Sequence, residues 1–106
     1  MKVLFMILAI TKMSVVPEKR VELTQTITSL SSFTRTEKGC VYCELCQNVE
    51  DKNGFFLLEE WDTKENLTAH MKTGHFDVFL GAMNTLAQPY KRTLHTVFHP
   101  AGTGEN

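Results

Sequence analysis

The chain lacks the features that mark a charged or membrane-bound partner. Eleven Lys and Arg residues stand against twelve Asp and Glu, a formal net charge of −1 over 106 residues. No basic cluster breaks that balance, so there is no electrostatic footprint for a phosphate backbone or an anionic bilayer, and nucleic acid is not an expected partner. The apolar run Val3 to Ile10 falls far short of the roughly 20 residues that cross a bilayer. No membrane span is expected. Thr11-Lys12-Met13-Ser14 follows without a small-residue cleavage pattern, which favours a buried strand over a secretory signal. Cysteine is scarce and odd in number; three cannot close a disulfide framework and point to a reducing cytoplasm. No internal repeat or low-complexity linker is visible. What remains is an ordinary soluble composition, 42% apolar and 22% charged, in a chain long enough to bury about two-thirds of its unfolded surface.

Hydrophobic spacing divides the chain into six elements. Val3, Phe5, Ile7 and Ala9 alternate with Leu4, Met6, Leu8 and Ile10, all apolar, so a strand over residues 3–10 is covered on both faces. Pro17 and Glu18 suit a first helical turn, and Val16, Leu23, Ile27, Leu30 and Phe33 or Thr34 keep helical spacing, predicting a helix near 17–35 that stops before Gly39. Cys40 to Val49 alternates as a strand with Val41, Cys43, Leu45 and Val49 on its drier face. The polar turn Glu50-Asp51-Lys52-Asn53-Gly54 returns it as Phe55 to Trp61, an antiparallel hairpin over residues 40–61. Asp62 and Glu65 have the spacing of a helix cap before Leu67 and Met71; Gly74 interrupts, and His75 to Leu86 forms a second helical piece. Tyr90 to Phe98 is the last strand. Residues 1–98 read as one domain, and 99–106 as a flexible C-terminal tail.

Strand, helix, strand, strand, helix, strand is the ferredoxin-like α+β arrangement, a four-stranded antiparallel sheet with its helices on one face. The other face is then a problem. Strands one and three are greasy on both parities, and a bare apolar face of that size exceeds what a monomer usually exposes. A second copy packing sheet to sheet is the simplest cover, so a homodimer is expected.

Two stretches suggest a family. Gly54-Phe55-Phe56-Leu57-Leu58-Glu59-Glu60-Trp61-Asp62 and Leu67-Thr68-Ala69-His70-Met71-Lys72-Thr73-Gly74-His75-Phe76 resemble the antibiotic biosynthesis monooxygenase (ABM) signature: a strand ending E-x-W, a helix ending A-H, a break, then H-F. Pro17-Glu18-Lys19 and Gly39-Cys40 resemble its P-x-K and G-C positions. The resemblance, over roughly residues 2–98, implies a dimeric α+β barrel. It also implies oxidation of a phenolic or quinol-like substrate by molecular oxygen with neither metal nor flavin as cofactor, although relatives of the same fold do other chemistry. One branch degrades haem using a first-strand Asn, a second-helix Trp and a ligand His; this chain has no such Asn, His70 at the Trp position and Leu80 at the ligand position, so haem degradation is disfavoured.

Oxygen attacks an electron-rich substrate, and removing a phenolic proton creates one, so a base is required. His70 and His75, which flank the helix break, are the candidate bases. Five residues apart, they do not share a helical face, so no metal pair is expected. Glu59 shares strand parity with Trp61 and would orient the base or pair with a Lys or Arg; Trp61 would offer a flat surface to an aromatic small molecule. Phe5 and Leu57 are the further substrate-binding candidates. Glu60 faces the other way as a solvated or interface charge, and Lys91-Arg92 reads as a solvated strand end. Cys40, Cys43 and Cys46 have iron–sulfur-like spacing, but alternation puts Cys43 opposite the other two and Glu50 stands where a fourth thiolate belongs. They read as small buried residues. Two alternatives stay open: a non-catalytic binding or stress-response module of the same fold, and a small zinc domain using the cysteines.

Overall fold

The computed structural model describes residues 3–100. Strand β1 (Val3–Val15) leads through a 3-10 turn (Pro17–Lys19) into helix α1 (Arg20–Thr34). Strands β2 (Cys40–Asn48) and β3 (Asp51–Trp61) follow, then helices α2 (Lys64–His70) and α3 (Gly74–Leu86), and strand β4 (Ala87–Pro100). The strands lie in the order β2-β3-β1-β4, with β1 antiparallel to both β3 and β4 and β2 antiparallel to β3. This is the expected ferredoxin-like α+β architecture. The core fills the space between the inner sheet face and the helices: Met13, Val15, Phe55 and Leu57 pack on Leu23, Ile27, Phe76, Phe79 and Met83.

The structure lengthens and shifts several elements. β1 runs five residues past Ile10 because Thr11, Met13 and Val15 continue the buried inner parity. Pro17–Lys19 forms a 3-10 turn rather than the start of the α-helix. The β2–β3 turn is Val49-Glu50, set by the pairing of Asn48 with Asp51, while Asn53 and Gly54 lie within β3. Asp51 takes over the local turn chemistry by accepting from the Asn53 backbone N–H at 2.9 Å. β4 includes His99 and Pro100, which removes them from the expected tail; residues 101–106 lie outside the described residues.

A bulge in β2 overturns the predicted cysteine faces. Cys40 pairs with Trp61 and Tyr42 with Glu60, leaving Val41 as the extra residue. Cys40 and Cys43 therefore both turn inward, opposite Trp61 and Glu59, whereas Val41 is half exposed and Val49 fully exposed. The outer sheet face carries Met6, Leu8, Ile10, Phe56 and Leu58, each only partly buried, with no helix upon it among the described residues. Phe5 and Phe98 meet as tilted rings across the end of the β1–β4 ribbon, 6.0 Å between centroids, and remain exposed.

Candidate active site

The site is made by the interruption between α2 and α3. Thr63, not Asp62, caps α2, accepting from the Asn66 backbone N–H at 3.1 Å; Thr73 caps α3 in the same way from Phe76 at 3.2 Å. On a continuous helix, side chains five residues apart diverge by about 140°. With Met71–Thr73 outside either helix, α3 starts in a new direction and the rings of His70 and His75 come within 5.8 Å. The expectation that these histidines stay apart fails for this reason.

Between them lies Glu37, from the loop after α1. The His70 Nδ1–H donates to its Oε2 at 2.9 Å, and His75 Nε2 meets the same oxygen. That contact sets the His70 tautomer. Gly39 makes the loop possible: its φ is +87°, and a side chain there would run into Asp62 and Asn66. Arg35 Nε, donating to the Cys43 carbonyl at 2.9 Å, ties the loop to β2.

A second carboxylate stands behind the first histidine. Glu59 is 1% exposed, and a buried carboxylate must be paired. Arg92 supplies the pair, with Nη1 donating to Oε2 at 2.7 Å and Nη2 to Oε1 at 3.3 Å. Small Ala9, between Glu59 and Leu94 on the central strand, leaves room for that diagonal reach. Trp61 Nε1 donates to Glu59 Oε1 at 3.2 Å, and His70 Nε2 lies 3.5 Å from that oxygen. Arg92 is thus a partly buried partner rather than a solvated strand end, its guanidinium 5.2 Å from the Phe76 ring centroid. Glu60 does face outward, but it is buried beside His99 at 3.1 Å and not solvated.

A narrow cavity of about 20 Å3 opens beside this network, lined by Ile27, Leu30, Leu57, Glu59, His70, His75 and Phe79 among others. A water fits; an aromatic ring, which needs a cavity nearer ~150 Å3, does not fit in this conformation. Of the residues predicted from sequence, His70, His75, Glu59 and Leu57 meet at this cavity. Trp61 is fully buried and lies against the His70 ring, 4.7 Å between centroids, bracing the imidazole instead of facing the cavity. Phe5 is elsewhere, at the exposed end of β1.

The family model for antibiotic biosynthesis monooxygenase (ABM) matches residues 6–82. The chain belongs to the ABM family. The Bacillus subtilis (strain 168) protein named "Putative monooxygenase YcnE" is 34% identical over 64 residues, 60% of this chain and 67% of that protein. A conserved protein from Methanosarcina mazei Go1 superposes with a TM-score of 0.82 at 25% identity, over 87% of this chain and 92% of that one. The Deinococcus radiodurans structure named "Putative antibiotic biosynthesis monooxygenase" gives 0.81 at 21% identity, over 94% and 96%, a likeness of fold.

The ABM match contains Glu37, Glu59, Trp61, His70 and His75, while Arg92 lies beyond it on β4. Two of the cysteines line the same interior. Burial, then the nearby Glu59 charge, pushes the Cys40 thiol up to about 11; burial first, with Glu59 contributing, pushes Cys43 up to about 12. Neither belongs to a cluster of metal-ligating groups among the described residues. A raised folded-state value means that stability is full below the unfolded-state value near 9 and declines as pH rises through 11 to 12. The unfolding midpoint should therefore fall above pH 9, and by less in Cys43→Ala than in the parent, as read by circular dichroism melts; parallel declines would refute the assignment.

Proposed function

We propose that this ABM-family protein is a monooxygenase of the cytoplasm that oxidises a small aromatic or quinol-like molecule with molecular oxygen, the substrate itself supplying the electrons without a bound cofactor. The observation that carries this reading is the convergence of His70 and His75 on one carboxylate beside a cavity. His75, its side chain 26% exposed, stands at the mouth, and His70, at 5%, lies deeper. An imidazole takes the substrate's acidic proton, and Glu37 stabilises the imidazolium that forms. The resulting anion reduces oxygen. Glu59 and Trp61 hold His70 in place, and Leu57 forms part of the apolar wall.

Substrate entry requires α1 and α3 to part near Leu30 and His75, since the resting cavity is too small for a ring. That same smallness favours a second reading, a binding module that takes a smaller ligand and performs no oxidation. Oxygen uptake with a panel of quinols and hydroxynaphthalenes under chelation tests the first reading. Saturable binding with no uptake on any panel member would establish the second.

The homodimer belongs to the proposal. A second copy laid on the outer face would bury Met6, Leu8, Ile10, Phe56 and Leu58. Sedimentation is expected to give twice the 12.1 kDa chain mass, with Leu8→Lys shifting the species to monomer; a monomeric parent would overturn this.

A further inference from the structure

We propose that Glu37, His70 and His75 form a binding site for a divalent transition-metal ion. Each residue offers one ligand atom, and the three atoms lie within 4.8 Å of one another. Metal–imidazole and metal–carboxylate bonds of about 2.0–2.2 Å place ligand atoms roughly 3–3.5 Å apart, so the Glu37 oxygen, now 2.9 Å from His70 Nδ1, has to draw back only a little to admit an ion. Glu37 Oε2 already touches both ring nitrogens, so an ion has only to replace the protons that join them.

Four features separate this group from a chance contact. The donor set, two imidazoles and a carboxylate, suits zinc, cobalt, nickel or ferrous iron over magnesium or calcium, which prefer all-oxygen shells. His70 turns its far nitrogen toward Glu59, 3.5 Å away, and Glu59 is fixed by Arg92 and Trp61. A carboxylate behind a ligating histidine is the usual way such rings are oriented. The cavity alongside holds about 20 Å3, the space for one water, and three protein ligands with one water complete a four-coordinate shell. The ligands also come from fixed positions: the end of α2, the first turn of α3, and a loop that Gly39 closes.

If the oxidation proposed above is correct, an ion here withdraws both imidazoles from proton transfer and switches that reaction off. The binding claim stands apart from it and is tested without turnover. Full-length protein, free of any histidine tag and stripped with a chelator, is titrated with Co2+ by visible absorption and with Zn2+ by calorimetry. About one equivalent per chain is expected, with no response to Mg2+. His75→Ala and Glu37→Gln should each weaken binding by about tenfold or more, whereas His95→Ala, an exposed histidine on β4, should leave it unchanged. Circular dichroism confirms that each variant folds, and His75→Gln serves if His75→Ala does not. No uptake by the parent, or equal uptake by the His75 and Glu37 variants, would overturn the site while leaving the oxygen-uptake result to stand by itself.

Discussion

Arg92→Met is expected to lower the unfolding free energy by about 3–5 kcal/mol, because it strands a buried carboxylate. Glu59 has almost no solvent to turn to, and its other contacts are the Trp61 N–H and an imidazole at 3.5 Å. Methionine keeps much of the stem packing against Phe76 and Phe79 but removes the cation. The measurement is urea unfolding followed by Trp61 fluorescence, compared with Glu59→Gln and with the double variant. Replacing both partners removes the charge and its need for one, so the double variant should be more stable than Arg92→Met alone. A loss below about 1 kcal/mol in Arg92→Met would show that Glu59 is neutralised by another route.

The largest effect on activity is expected at His75. Losing a positioned acid–base group costs about 10²–10⁴-fold, and His75→Ala should lower turnover in that range. Its stability should change little, since the ring is partly exposed at the cavity mouth. His70→Ala is a less clean experiment, because the buried ring contacts Trp61 and Phe76 and its removal opens a cavity. Glu37→Gln keeps the shape of the side chain but loses the charge that supports an imidazolium, and a comparable fall in turnover is expected. Full turnover in His75→Ala would remove that histidine from the reaction.

The parts of the fold carried by periodicity were readable in advance: the order of elements and the break before His75. The parts set by tertiary contact were not. Glu37 sits in a loop with no period to mark it; only the turn at Gly39 flags the segment, and nothing local shows that the carboxylate points inward. Arg92 was hidden by its neighbour Lys91, although strand alternation puts residue 92 on the same face as Tyr90 and Leu94. The Val41 bulge shifted the cysteines by one position, and a one-residue slip moves every later side chain to the opposite face. For His70 and His75, helical spacing was the right rule applied across residues that are not helical.

β1 lies inside the sheet, yet its two partners are made at different times. β3 reaches it when residue 61 has been made, but Ile7 must wait for Thr96 to complete its other side. A nascent chain leaves the ribosome N-terminus first, so one edge of the greasiest strand stays open until β4 has been made. The counter-ion for Glu59 travels on that same final strand. Closure of the molecule and neutralisation of its interior therefore arrive together, and a transcript cut short before β4 would release a polypeptide that needs chaperone shelter instead of a smaller working protein.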